Sequence, residues 1–268
     1  MKLSFLGLGV MGFPMAGHLA NFGHDLVVYN RTSSKVSKWK DNYKGNTAET
    51  PKAASVDVDI VISCVGNDED LREVTVAENG AFHSMTAGSI FIDHTTVSAS
   101  ITRELYNYAK DKGIFYIDAP ISGGQVGAEN AALSIMCGGD EATFNNALPV
   151  MDVYSKICKL MGPTGSGQLT KMVNQICIAG LVQGLSEGFR VFCVSNVSST
   201  QSSNAISTFS SIKVGGIMSK CPAYLCAESD ICLLPKYHAM LAINCDCFYN
   251  ARGERIWCID CIFDEEEK

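Results

Sequence analysis

Along the first 162 positions the apolar residues fall in short dense runs separated by polar or helical stretches. KLSFLG at 2–7 is the first such run, and DLVVY at 25–29 is the second. Further runs occupy 58–65 (VDIVISCV), 89–96 (SIFIDHTT), 113–122 (GIFYIDAPIS), 132–139 (ALSIMCGG) and 156–162 (KICKLMG). Residues 11–22 carry a helical pattern that stops at Gly23, a C-cap signal, and 100–113 carry another. Continuously apolar strands alternating with helices predict an α/β fold with a doubly wound, mainly parallel sheet. From Gly167 the spacing changes, and QLTKMVNQICIAGLVQGLSEGF reads as one helix of about 20 residues, hence about 30 Å long. A domain boundary is expected near Pro163. This divides the chain into 1–163 and 164–268, the latter comprising a linker helix (164–189) and a region of weaker periodicity. A Ser/Asn/Thr-rich stretch at 195–211 reads as loop.

The turn after the first strand carries the clearest chemistry. Gly7-Leu8-Gly9-Val10-Met11-Gly12 fits G-x-G-x-x-G between a strand and a helix, the context in which the motif binds a dinucleotide. Gly7 allows the tight turn, Gly9 lets backbone approach a pyrophosphate, and Gly12 allows the helix to pack closely on the strand. A Rossmann-type domain is therefore expected. Where an NAD site usually has Asp or Glu at the end of the second strand, this chain has Asn30-Arg31-Thr32. No carboxylate is there to repel a 2′-phosphate, and Arg31 can bond to one, so NADP is expected over NAD. A solvated surface arginine in a turn is the plain alternative.

Composition narrows the remaining choices. Of the 268 residues, 47% are hydrophobic and 18% charged, an ordinary globular balance. A net charge of −7 argues against a general nucleic-acid surface. No apolar run reaches the roughly 18 residues needed to cross a bilayer. Met1 to Gly12 lacks the features of a signal peptide. A cytoplasmic protein is expected, or a mitochondrial one if a segment precedes this N-terminus. Of the 12 cysteines, Cys64, Cys137, Cys158 and Cys177 sit in apolar runs and read as reduced core thiols.

Four blocks together resemble the β-hydroxyacid dehydrogenases, which include 3-hydroxyisobutyrate dehydrogenase, tartronate semialdehyde reductase and glyoxylate/succinic semialdehyde reductases. They are GLGVMGFPMAGHLA (7–20), DHTTVS (93–98), DAPISGGQVGAENAALSIMCGG (118–139) and GSGQLTKMVNQI (165–176), within residues 1–189. The resemblance implies hydride transfer between NADP and a small hydroxy acid or semialdehyde. It implies cofactor contacts from Thr95 and Thr96, and from Val65 and Asn67 in the loop after the strand at 58–65. Ser122, Gly123 and Gly124 become candidates for the substrate carboxylate, since paired glycines permit anion-binding concavities.

It also makes Lys171 the catalytic acid–base group, with Asn174 orienting the same oxygen. The residues alone say less: Lys171 and Asn174 share a helical face, and a lysine among Leu169, Met172, Val173 and Ile176 could simply snorkel to solvent. Asp118, before Ala119-Pro120, reads as structural. His94 shows no partner in the sequence and reads as a surface or packed histidine.

The resemblance stops near residue 189. The family's all-helical second domain, with its second lysine in a K-D-L-G-like motif and its dimer-forming surface, is not recognisable in 190–268, so oligomeric state is left open. That region instead holds Cys193, Cys221, Cys226, Cys232, Cys245, Cys247, Cys258 and Cys261. Their irregular spacing argues against a metal site. An alternative function follows: a catalytically impaired NADP-binding or partner-binding module. If no other element covers it, the apolar side of the helix at 167–188 is expected to be exposed.

Overall fold

The computed structural model describes residues 1–194. The eight cysteines from Cys193 onward are not among the side chains described, and the Ser/Asn/Thr-rich stretch at 195–211 lies outside the described residues altogether. The chain divides into two compact units, Met1–Val173 and Asn174–Lys268.

The first unit begins with β1 (Lys2–Leu6), α1 (Gly12–Phe22), β2 (Asp25–Tyr29), α2 (Ser33–Asn42), β3 (Asn46–Thr47) and α3 (Pro51–Ala54). It continues with β4 (Ile60–Ser63), α4 (Asp68–Thr75), β5 (Ile90–Asp93), α5 (Ala99–Asp111) and β6 (Phe115–Asp118). Then come β7 (Ile121–Ser122), α6 (Gly124–Glu129), β8 (Leu133–Gly138), α7 (Glu141–Met151), β9 (Ser155–Gly162) and α8 (Ser166–Val194). The sheet has the order β3-β2-β1-β4-β5-β6-β8-β7, with β9 paired to β8. All pairings are parallel except β6–β8 and β7–β8. This is the doubly wound α/β architecture expected from the alternating pattern.

Strand side chains alternate between two cores. Phe5, Ile62, Ile92 and Ile117 point to the layer that holds Met15 and Leu19 of α1. Leu6, Val61, Phe91 and Tyr116 point to the layer that holds Leu71 of α4 and Leu105 of α5. Both faces of the central strands are thus buried, which is why their sequences read as continuous apolar runs rather than alternating ones. Gly23 ends α1 in the left-handed conformation at φ 98°, as a C-cap glycine does.

Three expectations need correction. The run at 113–122 is not one strand: it breaks into β6 and β7 at Ala119-Pro120, because Pro120 has no N–H to give a ladder. Cys177 is not a core thiol but lies exposed on α8, whereas Cys137 is buried and Cys64 and Cys158 are half-buried. Helix α8 runs to 29 residues, longer than the periodicity suggested.

Candidate active site

In a parallel sheet the loops leaving the C-terminal strand ends converge, and ligands settle where the order reverses. Here β1 and β4 are adjacent, and the chain winds outward from them in both directions. The glycine turn after β1 lies at that reversal. Gly7 has φ 104°, and a Cβ there would come within 2.2 Å of the Cys64 carbonyl oxygen. A Cβ on Gly12 would lie 2.0 Å from the Gly7 carbonyl oxygen and 2.9 Å from the Phe5 ring. A Cβ on Gly9 would meet nothing within 4 Å. Two glycines are therefore demanded by packing, and the third faces open space where a ligand can approach. Met11, at the N-cap of α1, makes no side-chain cap hydrogen bond to the first turn, which leaves those backbone N–H groups open to an anion. These features fit a dinucleotide pyrophosphate.

The other predicted residues divide into several groups. The Asn30 carboxamide accepts a hydrogen bond from the Leu8 N–H at 2.9 Å and fixes the turn against the end of β2, while the Leu8 side chain is buried. Val10 is exposed and Thr32 is the N-cap of α2. Arg31, with 69% of its side chain exposed, is ion-paired to Asp70 at 2.9 Å and Glu73 at 3.3 Å on α4. Asn67 caps α4, accepting from the Asp70 N–H at 2.8 Å. The Val65 N–H donates to the Thr95 hydroxyl at 3.2 Å, joining the loops after β4 and β5, and Thr96 is half-buried beside it. Gly123 and Gly124 have φ 140° and 67°, conformations that disfavour any other residue. Their short helix α6 is tied to α1 by the contact of His18 Nε2 with the Ala128 carbonyl at 2.9 Å.

Lys171 sits on α8 in the first unit and is only 1% exposed. Among the described residues no carboxylate lies within ion-pair distance of it. The snorkelling alternative is thereby excluded, and the burial needs an explanation, because a lysine leaves water only at a cost. The start of its helix is firmly held. Asp118 accepts from the N–H groups of Gly165 at 2.7 Å and Gln168 at 3.0 Å, capping α8 from the end of β6. Burial pushes the Asp118 carboxyl up, while these backbone donors pull it down. One turn before Lys171, the Gln168 amide donates to the Thr95 carbonyl at 2.7 Å and accepts from the Val97 N–H at 3.2 Å. An unbroken series of contacts thus runs from Gly7 past Cys64 and Val65 to Thr95 and Gln168, and so to the turn that carries Lys171. The sequence marks Gln168 only as a polar residue on a largely apolar helix, which is its one signal. Asn174 belongs to the second unit, where its side chain donates to Gln175 at 3.2 Å.

Two adjacent groups at the end of β5 are also buried. Asp93, at the end of β5, accepts from Ser63 at 2.8 Å and from the Thr95 N–H at 2.9 Å, and burial raises its pKa to about 6. His94 contacts the Ala119 carbonyl through Nδ1 at 2.6 Å and Tyr154 through Nε2 at 2.8 Å. A carbonyl only accepts, so Nδ1 carries the proton and Nε2 accepts from the tyrosine hydroxyl. Burial lowers this histidine to about 4. It is the packed histidine the sequence suggested, with two partners.

Residues 2–162 match the family model of the NAD binding domain of 6-phosphogluconate dehydrogenase. An uncharacterized oxidoreductase of Shewanella frigidimarina is 58% identical over 187 residues, covering 70% of this chain and 64% of its own length. The 2-hydroxy-3-oxopropionate reductase of Escherichia coli is 36% identical over 187 residues, covering 70% and 62%. This chain belongs, through its N-terminal segment, to the β-hydroxyacid dehydrogenase family. A 3-hydroxyisobutyrate dehydrogenase of Mycobacterium tuberculosis, solved with L-serine, superposes with a TM-score of 0.70 at 28% identity, covering 86% of this chain and 74% of that one. The chain spans about 64% of the length of the Shewanella relative. No helix among the described residues is long and apolar enough to cross a membrane.

Proposed function

We propose that this β-hydroxyacid dehydrogenase relative is an oxidoreductase that moves a hydride between NADP(H) and a small hydroxy acid or semialdehyde. The observation that carries the reading is the burial of Lys171, with no carboxylate partner among the described residues, on a helix pinned to the loop after β5. An ammonium group kept from water in a nucleotide-binding fold has a use if a carbonyl oxygen is to be polarised there.

When bound, the nicotinamide supplies or accepts the hydride. The chain's residues do the rest. Lys171 protonates the carbonyl oxygen in reduction and takes the alcohol proton in oxidation. Asn174 orients that oxygen. The Ser122 hydroxyl and the N–H groups of Gly123 and Gly124 receive the substrate carboxylate, for which their positive-φ backbone is suited. The glycine turn and the α1 N-terminus take the pyrophosphate. Val65, Asn67, Thr95 and Thr96 line the ribose and nicotinamide end. Arg31 takes the 2′-phosphate, which favours NADP over NAD.

The test is oxidation of NADPH and NADH by the purified chain with glyoxylate and with succinic, methylmalonic and tartronic semialdehydes. Turnover with one of them, faster with NADPH, is the expected result. Binding of the nucleotide with no turnover on any of them refutes the enzymatic reading and leaves a nucleotide-binding module.

A further inference from the structure

Strand β1 lies between β2 and β4, so its glycine turn is flanked by two loops. One flank carries Arg31, after β2. The other carries Gly66 and the first turn of α4, after β4. The Arg31 guanidinium reaches from the first flank to the second, where it meets Asp70 at 2.9 Å and Glu73 at 3.3 Å. This ion pair spans the outer edge of the turn, beside the position a nucleotide's adenosine ribose must take. Its two ends differ in mobility. Asp70 has a short side chain, its backbone N–H is bonded to the Asn67 cap, and its Oδ2 packs close to Gly66. Arg31 sits on a long side chain, 69% exposed. An exposed pair of this kind is weakly held and open to exchange. Tyr29 also feels the charges of Glu73 and Arg31, and Arg72, next along α4, is engaged by Glu104 at 2.9 Å.

We propose that Asp70 and Glu73 set the discrimination between 2′-phosphorylated and 2′-hydroxyl dinucleotides by competing for Arg31. The inference rests on the assignment of Arg31 to the 2′-phosphate subsite. A phosphate dianion binds the guanidinium fork as a carboxylate does, so it must draw Arg31 away from α4. It then sits near two carboxylates left without their counter-charge. A 2′-hydroxyl asks for no exchange and meets no such repulsion. The two acids therefore oppose NADP and leave NAD almost untouched, holding selectivity below what Arg31 alone would give.

The test is calorimetric titration of the full chain with NADP⁺ and NAD⁺. Adenosine 2′-monophosphate and adenosine 5′-monophosphate serve as fragments that need neither turnover nor the nicotinamide. Relative to the parent, Asp70→Asn with Glu73→Gln is expected to tighten NADP⁺ and adenosine 2′-monophosphate by about five- to tenfold and to change NAD⁺ less than about twofold. Adding Arg31→Ala should erase the gain. Glu73→Gln alone, on the exposed face of α4, carries the same sign and avoids any disturbance of the Asn67 cap. Parallel changes for the two dinucleotides, or weaker NADP⁺ binding, overturn the proposal. A parent protein that binds NADP⁺ no better than NAD⁺ refutes the NADP reading; a shift of the ratio on neutralising the acids still supports the competition.

Discussion

The side chain of Gln168 is bonded at both ends to one loop: it donates to Thr95 at 2.7 Å and accepts from Val97 at 3.2 Å. Through this pair of contacts α8 is registered against the loop leaving β5, and Lys171 inherits the register one turn later. Replacing Gln168 by Ala strands the Thr95 carbonyl and the Val97 N–H in the interior, which costs about 2–4 kcal/mol together. For a unit of this size the melting temperature should fall by about 5–12 °C. Gln168→Met restores the packing volume but not the bonds, so it should recover only part of the melting temperature. Turnover should stay depressed in both variants when measured well below the melt. Full activity in Gln168→Met would show that the two hydrogen bonds do not position Lys171.

Lys171→Met removes the ammonium and keeps an unbranched apolar stem of similar length. It should lower kcat by about 100-fold or more, the span usual for loss of a positioned acid–base group. Nucleotide affinity, measured by titration, should change less than about twofold. Thermal stability should hold or rise, because a buried amine with no carboxylate partner among the described residues is replaced by a side chain at ease there. A kcat loss smaller than about tenfold rules Lys171 out as the acid–base group.

Much of this arrangement was legible in the sequence because it is local. The G-x-G-x-x-G turn, most of the strand runs and the Gly23 cap each depend on residues a few positions apart and formed as expected; the run at 113–122 broke at Pro120 instead. The contacts that hold the site join residues far apart in the chain, such as Asp118 with Gly165 and Thr95 with Gln168. No periodicity announces those. Arg31 shows the same limit. Its charge was readable as an anion contact, but its partners lie about 40 residues on, in helix α4. Lys171 was ambiguous on pattern alone, since helix spacing gives the direction of a side chain but not what covers it. Asn67 illustrates a residue with two demands on it, because its side chain already caps α4.

The glycine turn predicts two opposite outcomes one helical turn apart. A Cβ at position 12 would lie 2.0 Å from the Gly7 carbonyl oxygen, a backbone atom that cannot yield. Gly12→Ala should therefore force α1 off β1 and reduce soluble, folded protein, seen as a lowered denaturation midpoint. At position 9 nothing stands within 4 Å of the added carbon. Gly9→Ala should fold with the parent's stability and lose nucleotide affinity by about tenfold or more, because the methyl group occupies the path of the pyrophosphate. If Gly9→Ala binds nucleotide as the parent does, the turn is structural and the ligand lies elsewhere.

Asp93 and His94 are adjacent and both buried, and burial shifts their titrations in opposite directions. Asp93 is raised from 3.8 to about 6, so between those values the folded state holds a proton that the unfolded state has released. Its contribution to stability is therefore present in acid and lost as pH rises from about 4 to 6. His94 is lowered from 6.5 to about 4, so in that window the unfolded state takes up a proton that the folded state refuses. Its contribution is present above pH 6.5 and lost as pH falls toward 4. Each effect is on the order of 3 kcal/mol, with opposite sign, so in the parent protein they nearly cancel between pH 4.5 and 6. Asp93→Asn leaves the histidine unopposed, and its urea midpoint should fall steeply on acidification from pH 7 to 4.5. His94→Gln leaves the aspartate unopposed, and its midpoint should hold or rise over the same range. Three parallel midpoint-against-pH curves would mean that neither buried group titrates in the fold, and the opposed pair would have to be abandoned.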